Sequence, residues 1–320
     1  MASTHYYTKN KQSMDTKFPG IDVLVSYITE HEESLQHAAN ILKKAIDLHR
    51  KSNADAERVL NGLIQKYLAY YQSVQVESYT KSTIRKAARG LDSYYNYFET
   101  SRIEKTFDSR GKIRSTVLEE FTYLFLKKKV DSITAEKCGA NYKRIKCGAV
   151  QAYSNLYITA KNIGGFVNEP PIAGINTKNQ DYTIYREMKV TVTSDSGSST
   201  QPIQVPILAI ENKTYLDKTM LEGAIATAEK LKSGNPYSTY IVVTETYAVA
   251  CDVDPAYSRI DQIFVLRKCK HDKNNRRPQP ISPDVLGRLV KMVEARLTDT
   301  WADVEERMQN NGEIINQLGA

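Results

Sequence analysis

The hydrophobic period changes part-way along the chain. From residue 19 to residue 104 apolar positions recur at helical spacing. Ile21, Val23, Leu24, Tyr27 and Ile28 form one set, and Leu35, Ala38, Ile41, Leu42, Ile46 and Leu48 a second. Val59, Leu60, Leu63, Ile64 and Leu68 form a third, separated from the second by Ser52-Asn53-Ala54-Asp55, which offers a helix N-cap. A basic stretch, 81–89, opens a further helix that runs to Phe98. After the polar, turn-like Asp108-Ser109-Arg110-Gly111-Lys112, residues 113–126 predict another helix, capped by Ser115 or Thr116. Its apolar face (Val117, Leu118, Phe121, Leu124, Phe125) centres on Phe121. Residues 149–160 fit a helix or a strand, and Gly164-Gly165 and Pro170-Pro171 mark a loop.

From residue 181 the period becomes two. Residues 181–193 alternate and are rich in β-branched and aromatic side chains, which predicts a strand. The Ser/Gly cluster 194–200 is a turn, and residues 203–210 are the next strand. The two should pair as an antiparallel hairpin with its tip near Gly197. That register sets Glu211 opposite about Thr183, with Asp181 close by at the open end and Asp195 at the far end. An amphipathic helix over 219–232 ends at Ser233-Gly234-Asn235-Pro236, and apolar strands follow at 238–244 and 262–266. A strand–helix–strand unit makes a parallel crossover. Residues 281–308 close the chain as a helix. The predicted organisation is a flexible arm over 1–18, a helical region over 19–107 suited to DNA binding or dimerisation, and an α/β domain over 108–320.

Composition narrows the class without naming it. The 320 residues are 41% hydrophobic and 25% charged, ordinary for a folded soluble protein. No apolar run approaches the ~20 residues that span a bilayer, and the polar N-terminus has no signal-like core, so a cytoplasmic location is expected. Cys138, Cys147, Cys251 and Cys269 form no C-x-x-C pair and do not cluster with histidine, which argues against zinc and for reduced, buried thiols. A net charge of +7 favours an anionic partner. The 21 tyrosines either meet phosphate or replace Phe at half-buried positions. The basic helix 81–89 either follows a phosphate backbone or is a solvated face.

The chemistry concentrates where the apolar run 207–210 ends in Glu211-Asn212-Lys213. Strand alternation sends Glu211 and Lys213 to one side. A carboxylate for a hard cation and an ammonium to offset phosphate charge suit metal-dependent phosphodiester cleavage. In the helix over 113–126, about 100° per residue puts Glu120 on the flank of the apolar face and Glu119 pointing away. A carboxylate on that flank needs a partner or a cation, or sits as a boundary residue in the first turn, which favours Glu120 over Glu119 as a supporting acid, with the choice between the two left open. Residues 214–218 form a connector able to touch substrate through Tyr215 and Lys218. Arg267, Lys268, Lys270, His271, Lys273, Arg276 and Arg277 make the densest basic cluster, a candidate for backbone contacts.

The order of these parts resembles the PD-(D/E)xK nuclease core, a mixed central sheet flanked by helices. Within that superfamily it resembles type II restriction endonucleases of the BbvCI/Bpu type, which cut asymmetric CCTNAGC-like sites. The likeness rests on residues 114–121, on 181–186 (Asp181 to Arg186) and on 211–220, and it covers roughly 110–270. It implies Mg²⁺ held by Asp181 and Glu211 with Asn212 beside them, Lys213 serving the attacking water, Glu120 in support, and Arg186 at the DNA. It further implies double-stranded DNA as substrate, a homodimer or a related second subunit, and a cognate DNA methyltransferase. Gln180 stands where the superfamily pattern has proline. A repair nicking enzyme or resolvase with the same core, an inactive DNA-binding protein, and a helical scaffold whose Glu-x-Lys is only a surface ion pair are the competing readings.

Overall fold

The computed structural model describes residues 2–31, 34–107, 112–272 and 279–298, together with Glu305, Met308, Gln309 and Gly312. The first half is a helical layer: α1 (Ala2–Lys9), α2 (Lys11–Lys17), α3 (Ile21–Glu30), α4 (Gln36–Arg50), α5 (Ala54–Val74), α6 (Lys81–Thr100) and α7 (Ile103–Phe107). The expected arm over 1–18 is instead two helices, because Tyr7, Met14 and Phe18 are buried against the layer. Asn53 caps α5 as expected, its Oδ1 accepting from the Ala56 amide at 3.1 Å. Many tyrosines are core residues: Tyr67, Tyr70, Tyr94 and Tyr95 are buried, and Tyr70 stacks on Tyr94.

The long helix α8 (Lys112–Cys138) leads into a sheet made of β1 (Ile145–Thr159), β2 (Ile172–Ser194), β3 (Gly197–Leu216), β4 (Thr239–Tyr247) and β5 (Gln262–Val265). Ser115 and Thr116 lie inside α8 rather than capping it. A short helix, α9 (Ile163–Asn168), separates β1 from β2, α10 (Lys218–Gly234) crosses from β3 to β4, and α11 (Pro283–Thr298) follows β5. The sheet order is β1-β2-β3-β4-β5, antiparallel as far as β3 and parallel from β3 to β5, so the predicted crossover is present. The boundary expected at 108–111 lies outside the described residues. One continuous core joins the helical layer, α8, α11 and one face of the sheet, while α10 and the other face enclose a smaller one.

The β2–β3 hairpin turns through Asp195 and Ser196, with Ser194 paired to Gly197. Gly197 has φ 137°, where a side chain would be strained. An irregularity at Ile184/Tyr185, beside Pro206, shifts the register once. Pro206 has no N–H for the ladder, and its carbonyl accepts from Ser238 Oγ and Asn235 Nδ2 instead. Tyr182 then pairs with Ile210, so the next step sets Asp181 across from Glu211, two residues from the expected partner Thr183. Opposite β1, two residues of β2 (Asp181, Tyr182) face one (Ala149), a bulge flanked by Gly148 at φ 144°.

A buried ionic cluster ties the layers together. Arg267, expected at a DNA backbone, is only 1% exposed. Its guanidinium donates to Glu245 Oε2 (3.0 and 3.1 Å), to Asp92 Oδ1 (2.6 Å) on α6 and to the Gln279 carbonyl (2.7 Å). It also lies over the Tyr95 ring, as does Arg114 of α8. The sequence cluster was right about charge but not about direction: this arginine turns inward because Glu245 lies buried in β4 and requires a partner. Removing one member of a buried pair leaves the other uncompensated. Arg267→Ala is therefore expected to lower the unfolding free energy by about 3–5 kcal/mol, read from urea denaturation.

Candidate active site

β3 carries the site where its pairing with β2 ends. Asp181 Oδ2 accepts the backbone N–H of Asn212 at 2.7 Å, continuing by side chain the ladder that the two strands leave off. Glu211 and Lys213 lie on one side, as alternation requires, and form an ion pair of 2.7 Å through Glu211 Oε1. Glu211 Oε2 accepts from the hydroxyl of Tyr240 on β4. Asp181, Glu211 and Lys213 are half-buried, open enough for a ligand and dry enough for strong electrostatics.

Asn212, expected beside the metal, presents only its backbone to this group. Its side chain goes to the opposite face, where Oδ1 accepts from Thr122 of α8 at 2.8 Å. Glu120 likewise turns away. It is buried, and Oε2 accepts the Ala38 amide at 2.9 Å. Ala38 sits in the first turn of α4, whose N-cap Leu35 has no acceptor of its own, so Glu120 caps that helix from outside. Burial raises its carboxyl to about 7 against the pull of the Ala38 amide. The acid of α8 that comes near the strand end is Glu119. Burial lifts it to about 7, with Asp181 adding to the rise and Lys213 opposing it. The helical wheel favoured Glu120 by assuming a single apolar face, whereas α8 is covered on most sides here: Ile113, Arg114, Thr116, Val117, Leu118, Phe121, Thr122 and Tyr123 are all buried, Glu119 is half-buried and Ser115 is exposed.

Burial also raises Asp181, while the Asn212 amide and Lys213 pull it down and Glu211 pushes it up. For Lys213, burial lowers the ammonium, but Glu211, Asp181 and Glu119 more than offset this and raise it. Negative charge therefore exceeds positive at this strand end. Among the described residues no three or more His, Cys, Asp or Glu side chains form a complete metal cage. A hard divalent ion of the magnesium type does not require one. It keeps several waters and takes one or two carboxylates plus substrate phosphate. Asp181 and Glu211, all-oxygen donors with surplus charge, fit that habit.

The cationic candidates divide. Tyr215, two residues past Lys213, stacks on His271 with centroids 4.6 Å apart, and His271 Nδ1 hydrogen-bonds with Thr246 Oγ1. Lys218 is exposed in the first turn of α10, after its N-cap Asp217. Lys268 and Lys270 are exposed beyond β5, with Lys270 bridged to Tyr247 at the end of β4. These groups share the C-terminal end of the parallel strands with Lys213. Arg186 is exposed on β2, roughly 17 Å along the strand from Asp181. Lys273, Arg276 and Arg277 lie outside the described residues. Cys138 and Cys251 are exposed rather than buried, and no cysteine is in a disulfide. Tyr240 had no sequence signal, since only the parallel pairing of β3 with β4 brings it beside Glu211.

The fold is similar to a chain of the BbvCI A2B2 tetramer, with TM-score 0.59 and 21% identity, covering 80% of this chain and 95% of that one. No curated protein is significantly similar in sequence. The signature of the Bpu10I restriction endonucleases matches residues 110–279, which span α8, the whole sheet and α10. Over half of the sequence, including every part of the strand-end site, the chain thus carries that signature, and it belongs to the Bpu10I restriction endonuclease family, a family of site-specific endonucleases.

Proposed function

We propose that this type II restriction endonuclease hydrolyses double-stranded DNA at one short sequence with Mg²⁺ as cofactor, using Asp181, Glu211 and Lys213. The observation that carries the reading is their convergence at the end of β3, with Glu211 paired to Lys213 and Asp181 fixed on the Asn212 amide. Asp181 and Glu211 would hold the cation, while the Asn212 side chain is turned away to Thr122. When bound, the cation supplies Lewis-acid charge at the scissile phosphate. Lys213 sets its ammonium against the charge that builds on phosphorus-bound oxygen, a contribution that is large in a dry site. Glu119 takes the supporting part first given to Glu120.

Lys218, Lys268 and Lys270 would meet the DNA backbone around the cut, with Tyr215 and Arg186 further along the same duplex, fixing register rather than reading bases. Cutting both strands takes two such sites, so the chain acts with a second copy or a related subunit. BbvCI, similar in fold, is an A2B2 tetramer. No described helix is long and apolar enough to cross a membrane. An enzyme of this kind works on DNA in the cytoplasm, and a cognate DNA methyltransferase is its expected companion.

Digestion of a long DNA of known sequence with Mg²⁺, followed by end mapping, tests the whole reading. One defined sequence with a fixed stagger is expected, and random nicking would reject it. Lys213→Ala is expected to cut at least ~10²–10³-fold more slowly with DNA binding largely kept, as measured by single-turnover cleavage and gel shift. Asp181→Ala should lose metal-dependent cleavage, whereas Asp195→Ala, out at the hairpin turn, should retain it. For the two glutamates, Glu119→Gln should lose roughly 10–100-fold in cleavage while Glu120→Gln stays close to the unaltered chain. The reverse ranking would return the supporting part to Glu120.

A further inference from the structure

Tyr240 is fully buried, yet it points its hydroxyl at a carboxylate of the proposed site. In the parallel ladder it stands beside Ala209, so Glu211 is its diagonal neighbour on the same face. Diagonal pairs are within reach of an aromatic side chain. Tyr240 belongs to the minor core together with the small residues Ala209, Ala224 and Ala228. Its backbone is fixed too: the Tyr240 amide donates to Asp261 Oδ2 at 2.7 Å, and Asp261 Oδ1 accepts from Lys232 of α10 at 2.7 Å.

We propose that Tyr240 is a positioning residue for metal binding, which holds Glu211 by Oε2 while Lys213 holds it by Oε1. The two bonds fix the carboxylate plane at the strand end, so Glu211 does not swing toward either partner when a cation and a phosphate arrive. Partners that orient a ligating carboxylate commonly contribute 10–100-fold to metal affinity, roughly the scale expected here. The proposal rests on the reading of Asp181, Glu211 and Lys213 as the metal-dependent site.

The test is Tyr240→Phe in the full chain, with Mn²⁺ as probe, free ion read by electron paramagnetic resonance in the absence of DNA. The Mn²⁺ dissociation constant is expected to rise roughly tenfold or more. The Mg²⁺ midpoint for plasmid cleavage should rise in parallel, and saturating Mg²⁺ should recover most of the rate. Unchanged Mn²⁺ affinity and Mg²⁺ midpoint in a folded variant overturn the proposal. Should Tyr240→Phe fail to fold, Asp261→Ala releases the Tyr240 amide from outside the ring, and it must shift the Mn²⁺ constant in the same direction. Glu211→Gln separates the two levels: if it binds Mn²⁺ and cuts normally, the site itself is misassigned, whereas loss in Glu211→Gln without loss in Tyr240→Phe rejects only the part given to Tyr240.

Discussion

The hydrogen bond from the Asn212 amide to Asp181 is where strand pairing turns into chemistry. A strand that loses its neighbour leaves amides that need acceptors. Here the acceptor is a carboxylate, so the demand for backbone satisfaction also fixes an acid at the strand end. The bulge in β2 across from Ala149 falls at Asp181 itself. A slip of one residue in the β2–β3 register would send Glu211 and Lys213 to the other face and put Asn212 in their stead. Pro206 and the register shift beside it therefore matter to the site although they lie several residues away.

Helix α8 has to satisfy two neighbours at once. Glu119 faces the strand end and Glu120 caps α4, and both carboxyls are raised by burial. Adjacent residues on a helix diverge by about 100°, so one dipeptide serves the nuclease core and the helical layer without conflict. A change at Glu120 is thus a change to the helical layer, reaching the strand end only through α8.

The elements that depend on local pattern were legible in the sequence: the Asn53 cap, the β2–β3 hairpin, the crossover through α10, and the Glu-x-Lys alternation. The hairpin was displaced by two residues because neither the two-residue turn nor the bulge beside Pro206 can be counted from composition. What was hidden depended on the third dimension. Glu119 and Glu120 could not be ranked without knowing that α8 packs against both the sheet and the helical layer. Arg267 reads as part of a basic run until Glu245 and Asp92 are seen around it. Tyr240 is one apolar-strand residue among others until β4 pairs with β3. The tyrosine count, ambiguous in sequence, resolves largely into core packing of the helical layer.

The Arg267 cluster has a geometric consequence for cutting. Through Asp92 and Tyr95 it fastens α6 to the strand that borders β3 and to the segment after β5. The same α6 bears an exposed row of Lys81, Arg85, Lys86 and Arg89. On the proposed function, a phosphate gripped by that row and one presented to Lys213 would be linked through this buried ionic clasp. The protein would in this respect be a ruler along the duplex.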